Sequence, residues 1–317
     1  MESIEKLQLL GKGGVGRVYL CKDNLTGQTV AVKQVVRNSP SRIKRLDAEK
    51  AALGRILQRS FDVDDSTYLV MDVLPGEPVY KSLWRHQRGF PEAFAKQCAA
   101  QVVVALLDLH GRGFMHRDVK TGNVLLDPAT GRCHLIDFGF AKPLVRDDGT
   151  LDGRAMSFVG THYAMAPEVY RCSHQQRDNY YTVAVDWWAL GVFVFELLHG
   201  SPPWPYKCED GELVRYAATL EQPLEFPSHS HFANPHVRDL LSVLFMCSQL
   251  LCVDPSARLT GVAVQRHPWF CDVNWEDLVV ACSTAEMGLL RDIISSSTAP
   301  DSAESLTSAE NALFAGF

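Results

Sequence analysis

Two carboxylates, a lysine and an amide lie close together in one stretch of the chain: Asp118, Lys120, Asn123 and Asp137, within the run from Phe114 to Phe140. All four fall on short loop-like pieces between apolar, strand-like runs. These residue types suit the movement of a phosphoryl group. That group arrives highly charged, so its transfer needs a base to orient the acceptor, metal ligands and cations far more than a covalent nucleophile. In such a site Asp118 would take the proton of the acceptor hydroxyl. Asn123 and Asp137 would offer the oxygens that Mg²⁺ prefers.

The elements that must position these residues can be read on either side. Leu7 to Leu20 forms two alternating runs joined by glycines at 11, 13, 14 and 16. A lone G-x-G-x-x-G is ambiguous, since a dinucleotide-binding turn shares it and a glycine hairpin imitates it. The dinucleotide version needs a helix directly after the glycines. Here a strand follows, then the turn Asn24-Leu25-Thr26-Gly27 and a second strand ending Thr29-Val-Ala-Val-Lys33. From Pro40 to about Leu57, the spacing of Ile43, Leu46, Leu53 and Leu57 predicts an amphipathic helix that carries Glu49. Pro91 to Gly113 places Phe94, Cys98, Val102, Leu106 and Leu109 on one face of a core helix. The most apolar segment, Val183 to Leu198, is shorter than a membrane span and contains Asp186 and Glu196, so it reads as a buried helix.

Taken in order, these motifs resemble the signature of the eukaryotic protein kinases: Gly11, Gly13 and Gly16 with Val18; Lys33; His116-Arg117-Asp118 with Lys120 and Asn123; Asp137-Phe138-Gly139; and Ala166-Pro167-Glu168. Asp186-Trp-Trp-Ala-Leu-Gly191, Pro202-Pro-Trp204, Arg258 and His267-Pro-Trp-Phe270 extend the resemblance over about residues 4 to 270. It implies an α+β, two-lobed fold. A small, antiparallel β-rich lobe with one main helix would occupy residues 1–74, a large, mostly helical lobe 75–271, and a partly flexible tail 272–317. It also implies ATP with Mg²⁺ in the cleft, and transfer of the γ-phosphoryl group to Ser or Thr hydroxyls of proteins.

The residue roles below come from that resemblance and not from spacing. Asp118, Lys120, Lys33, Asn123 and Asp137 would be catalytic, with Asn123 and Asp137 on the metal. Gly11, Lys12, Gly13, Gly14, Val15, Gly16, Val18, Ala31, Lys33, Glu49 and Leu125 would hold the nucleotide, with Met71 behind the adenine and Asp72 to Leu74 as the hinge. Glu49 would pair with Lys33, Arg258 with Glu168, and Asp186 would brace the catalytic loop. Thr161 would bond near Asp118 and Lys120. Ser157 would be a regulatory phosphosite facing Arg117, served by an upstream kinase. Asn274-Trp275, Leu278 and the terminal Leu313-Phe-Ala-Gly-Phe317 resemble the group that includes the cyclic-AMP-dependent kinase, with Phe314 and Phe317 docking on the small lobe. That group's aromatic and acidic mid-tail stretch is absent. Glu77 would read one basic residue ahead of the acceptor, while Lys120-Thr121-Gly122-Asn123 lacks the group's second acidic reader.

Composition agrees with a two-lobed core: 317 residues, 46% of them apolar. A net charge of -6 without a Lys/Arg-dense block argues against a nucleic-acid partner. Nine cysteines with no Cys-x-x-Cys pair, and a start with no apolar run, point to an intracellular, cytoplasmic protein without a signal peptide. One departure stands out. Between Glu49 and the strand at Thr67 the chain is several residues shorter than the family pattern. Either a strand is rebuilt from Ile56 to Phe61 at the helix's expense, or the lobe is damaged. A damaged lobe favours a kinase-fold scaffold of weak or no activity. A small-molecule kinase shares the Asp-and-Asn loop, but Ala166-Pro-Glu and the long segment before it argue against that.

Overall fold

The computed structural model describes residues 4–13, 16–86, 89–145, 150, 152–172, 179–204, 224–227, 232–241 and 249–285. Gly14, Val15, Phe314 and Phe317 lie outside them, as does most of the C-terminal tail.

The first part of the chain is a five-stranded antiparallel sheet in the order β1-β2-β3-β5-β4. Its strands are β1 (Ile4–Gly13), β2 (Gly16–Asp23), β3 (Thr29–Val36), β4 (Leu57–Val63) and β5 (Ser66–Met71). Helix α1 (Pro40–Leu53) crosses between β3 and β4. Side chains alternate across a sheet with period two, and the two faces of β3 and β5 pack differently. Val30, Val32, Tyr68 and Val70 form one cluster with Cys21. Val35 and Leu69 join Leu46, Ala52 and Leu53 of α1 on the other face. Lys33 shares the parity of Val35, so it points toward α1 and Glu49.

Helix α1 begins under Ser39, whose side chain accepts from the amide of Arg42, and Pro40 fits its first turn. It ends at Leu53, four residues before the sequence pattern predicts. Gly54 sits at φ 56° and opens a 3₁₀ turn, Gly54–Ile56, that delivers the chain straight into β4. Leu57 is thus a strand residue paired with Met71, and Ile43, read as part of the apolar face, is 44% exposed. Only this three-residue turn separates the helix from the strand. The sheet is complete, so the lobe is shortened and not broken.

The larger part holds β6 (Glu77–Pro78), α2 (Val79–His86), α3 (Glu92–Gly111), β7 (Phe114–Met115), β8 (Val124–Asp127), β9 (Arg132–Leu135) and β10 (Lys142–Pro143). After these come α4 (Pro167–Arg171), α5 (Ala184–His199), α6 (Pro235–Leu241), α7 (Val262–Gln265) and α8 (Trp275–Ala285). Helix α5 is buried from Ala184 to Leu198, with Asp186 and Glu196 among its otherwise mostly apolar residues, as expected for the axis of a helical core. Leu106 of α3, Trp187, Trp188 and Phe193 of α5, and Trp269 belong to the same core. Leu109 of α3 instead reaches the cluster under α1, alongside Phe138. No helix among the described residues is long and apolar enough to cross a membrane.

Candidate active site

The catalytic loop runs from β7 to β8 and is fastened from below. Asp186, in the first turn of α5, accepts the backbone amides of His116 at 2.8 Å and Arg117 at 2.7 Å, and lies 2.8 Å from His110 Nε2. Burial alone would raise the Asp186 pKa, but the bonds from His110 and from the backbone amide of His116 help hold the group below the usual carboxylate range. His116 is fully buried, which pushes its pKa down and keeps the ring neutral. Its Nδ1 accepts the amide of Asp118 at 3.2 Å, leaving Nε2 to donate to the Ile136 carbonyl at 3.2 Å. The same ring meets Phe138 edge-on at 5.2 Å.

Arg117 and Asp137 both have positive φ, 69° and 62°. Such a backbone costs of order 1–3 kcal/mol per residue and persists only where the surroundings over-determine it. Here the bonds of Asp186 to the loop and of Lys33 to Asp137 do so.

Two linked clusters result. In the first, Lys33 Nζ lies 2.5 Å from Glu49 Oε1 and 2.6 Å from Asp137 Oδ1. Burial would lower the lysine's pKa, but the carboxylates of Asp137 and Glu49 more than offset this and keep it above the ordinary range. Burial raises the pKa of Glu49, against the pull of Lys33. Asp137 ends below its usual range because Lys33 outweighs the effect of burial.

In the second cluster, Asp118 is the hub. Thr161 Oγ1 donates to its Oδ1 at 2.6 Å, Asn123 Nδ2 donates to its Oδ2 at 2.7 Å, and Lys120 Nζ stands 3.2 Å from Oδ2. Lys120 also donates to Thr161 at 2.6 Å. Gly160, at φ 116°, lets the incoming segment lie against the loop, since a Cβ there would meet the Arg117 carbonyl at 2.6 Å.

Val18, Ala31, Met71, Leu74 and Leu125 offer apolar, buried or half-buried side chains for an aromatic base. Ala31 is paired with Met71 across β3 and β5. Gly11, Lys12 and Gly13 end β1 opposite Val18, Arg17 and Gly16 of β2. The amide of Asp72 is held by the Ile56 carbonyl at 3.2 Å, and its side chain by Gln58 Nε2 at 2.6 Å. Ser157 Oγ lies 2.7 Å from Arg117 Nη1, as expected from the sequence. Glu168 and Arg258 form a buried pair at 2.6 Å.

A bound Mg²⁺ fits these donors. Asn123 spends its amide nitrogen on Asp118, leaving its oxygen as a hard ligand, and Asp137 contributes carboxylate oxygen. Mg²⁺ is usually held by only one or two such groups together with substrate phosphates.

Sequence reasoning missed three partners. His110 secures Asp186 from α3, and its only signal is a polar residue on a core helix. The Tyr181 hydroxyl donates to the Ser157 carbonyl at 2.7 Å and lies 3.1 Å from Arg117 Nη1, with no local pattern to announce it. Glu196 of α5 is buried beneath the loop and accepts Thr121 Oγ1 at 2.9 Å. Its glutamate among apolar neighbours was visible, but was read only as an argument against a membrane span.

Comparison with known proteins agrees with this geometry. The family described as protein kinase domain matches residues 4–270. The chain is 34% identical over 292 residues to the serine/threonine protein kinase ypkA of Aspergillus fumigatus, covering 88% of this chain and 42% of that protein. It is 31% identical to the human cAMP-dependent protein kinase catalytic subunit PRKX, covering 87% and 74%. With the cAMP-dependent protein kinase type 3 of Saccharomyces cerevisiae it shares 31% identity, covering 88% and 67%. The chain thus spans less than half of the fungal ypkA and most of the two cAMP-dependent kinases. With the match reaching from the first strand to Phe270, the chain belongs to the protein kinase family.

Proposed function

We propose that this chain is a serine/threonine protein kinase that transfers the γ-phosphoryl group of ATP to Ser or Thr hydroxyls of proteins. The observation that carries this reading is the pair of linked clusters, Glu49–Lys33–Asp137 and Asp118–Thr161–Lys120, each closed at hydrogen-bond distance. Residues 1–74 and 75–271 serve as the two lobes, with 272–317 as a tail.

Asp118 orients the acceptor hydroxyl and takes up its proton. Asn123 and Thr161 hold the carboxylate in one rotamer, and Lys120 provides positive charge where negative charge develops. Lys33, kept charged by its two carboxylates, binds the α- and β-phosphates, and Glu49 aims it. The apolar group from Val18 to Leu125 takes the adenine. When bound, Mg²⁺ neutralises phosphate charge, and Asn123 and Asp137 are the residues that would hold it. The free acceptor reading as Ser or Thr rests on Lys120 after the catalytic Asp and on Gly160-Thr161 before Ala-Pro-Glu.

Substrate preference for an upstream basic residue is shallow in this reading. Glu77 is already engaged by Ser82 at 3.1 Å and by an ion pair with Arg85, which an incoming arginine must displace. The cysteine pattern supports a reducing, intracellular setting.

The test is transfer of label from ATP to a peptide library, with Asp118→Asn as the control. The parent should label Ser and Thr peptides, with a several-fold preference for one upstream arginine. The variant should lose turnover by at least roughly 10²-fold, the usual worth of a positioned base, while melting like the parent. Full activity in Asp118→Asn would remove the assignment.

A further inference from the structure

The shortened connection after α1 leaves an unusual junction. Only Gly54, Arg55 and Ile56 separate the helix carrying Glu49 from β4. The Ile56 carbonyl then holds the amide of Asp72 at the end of the neighbouring strand. A side chain from the other lobe reaches into this junction. Arg112, the residue that caps α3, donates from Nη1 to the Ala52 carbonyl at 3.0 Å and from Nε to Asp108 Oδ2 at 2.9 Å. A Cβ on Gly54 would meet Arg112 Nη1 at 2.8 Å. The guanidinium therefore occupies the space that a side chain at 54 would take, and glycine admits it.

The chemistry of the contact is favourable at both ends. Carbonyls in the last turn of a helix run short of amide partners and carry the negative end of the dipole, so a cation there is attractive. The guanidinium has several donors in a fixed plane, which lets one arm bind Asp108 while another binds Ala52. One turn back along α3, Leu109 packs with Ala52, Leu53 and Phe138, so polar and apolar contacts act on the same turn of α1. Glu49 is one turn upstream of Ala52, buried, and bonded to Lys33 at 2.5 Å.

We propose that Arg112 is a positioning residue for phosphoryl transfer: it fastens the last turn of α1 to the large lobe and so keeps Glu49 against Lys33. This rests on the kinase reading above. Asp108 is part of the device, since it fixes the guanidinium in the direction of Ala52.

The experiment uses the full chain with Arg112→Met, which keeps the apolar stem, Arg112→Lys, Glu49→Gln, and the double variant Arg112→Met/Glu49→Gln. Amide hydrogen exchange of residues 50–53 reads the anchor without any need for turnover. Arg112→Met should speed that exchange and lower turnover roughly two- to fivefold, the range expected for losing a cation at a helix C-terminus. Arg112→Lys should recover part of both. On the Glu49→Gln background Arg112→Met should cost nothing further, because its effect passes through Glu49. Unchanged exchange at 50–53, unchanged turnover, or a loss that multiplies fully onto that of Glu49→Gln would each overturn the proposal. A parent chain that transfers no phosphoryl group would instead remove the kinase reading, and the exchange measurement alone would then decide whether Arg112 anchors α1.

Discussion

Glu196 shows how much a single side chain under the catalytic loop depends on its surroundings. Oε1 accepts Thr121, while Oε2 has no hydrogen-bond partner among the described residues. Burial raises its pKa from 4.5 to about 7, against smaller opposing effects of Thr121 and Lys120. Between those two values the folded chain keeps a proton that the unfolded chain has released. Stability therefore falls as pH rises through that window and levels off above it. The whole effect is on the order of 3 kcal/mol. Glu196→Gln stays neutral and can still accept from Thr121, so its melting temperature should exceed that of the parent by a margin that widens from about pH 5 to about pH 7.5. A margin that stays constant over this range would make Glu196 an ordinary carboxylate. None of this was readable from the sequence, because the pKa comes from the packing of α5 beneath the loop. By contrast Asp118, Lys120, Asn123 and Asp137 were legible as a set, because the types and the spacing themselves encode the chemistry.

Among the elements, the stretch between Asp137-Phe-Gly and Ala166-Pro-Glu is fastened around Ser157 by two links. Ala155 and Tyr181 exchange backbone bonds at 2.8 Å, and Arg117 spans from the Phe140 carbonyl at 2.6 Å to Ser157 at 2.7 Å. A phosphate on Ser157 would bring close to two negative charges to the guanidinium in place of one neutral hydroxyl contact. It should order the segment that carries Gly160 and Thr161 to Asp118. With phosphate verified on the parent, Ser157→Ala should reduce turnover and leave unfolding stability within about 1 kcal/mol of the parent's, as expected of a loop residue. Equal rates for variant and phosphorylated parent would sink the regulatory role. The elements also mark where sequence reading ran out. Periodicity continued α1 to Leu57, because apolar residues at 46, 53 and 57 suit a helix as well as a strand pairing with β5. What ended the helix was Gly54, whose positive φ breaks the helical backbone, a stop that the apolar spacing alone does not reveal. The strand expected from Ile56 to Phe61 is Leu57–Val63, so rebuilding was the right one of the two alternatives.

At the scale of the whole molecule, the large lobe is pinned by a charge that has no access to water. The Arg258 side chain is 0% exposed and meets Glu168, itself 5% exposed, through two bonds at 2.6 and 3.0 Å. Its remaining donors reach the Ala184 and Cys252 carbonyls, both at 2.9 Å, and its plane stands 5.2 Å from the centre of the Trp188 ring. One guanidinium thus joins Glu168 of α4, the start of α5 and the stretch at Cys252. The pairing of Glu168 with Arg258 was expected from the sequence; the three-way junction, which needs the backbone of α5 in place, was not. Two charges taken out of water gain little net stability over apolar replacements, but removing one of them leaves the other stranded. Arg258→Met should therefore lower unfolding stability by about 3–5 kcal/mol, read by denaturant titration. Glu168→Leu combined with Arg258→Met should cost clearly less than Arg258→Met alone, since no carboxylate is then left buried without a partner. If the single variant unfolds within about 1 kcal/mol of the parent, the pair is incidental to the lobe. If the double variant is as unstable as the single one, the loss comes from the bonds to Ala184 and Cys252, and the arginine matters as a backbone clasp more than as a counter-ion.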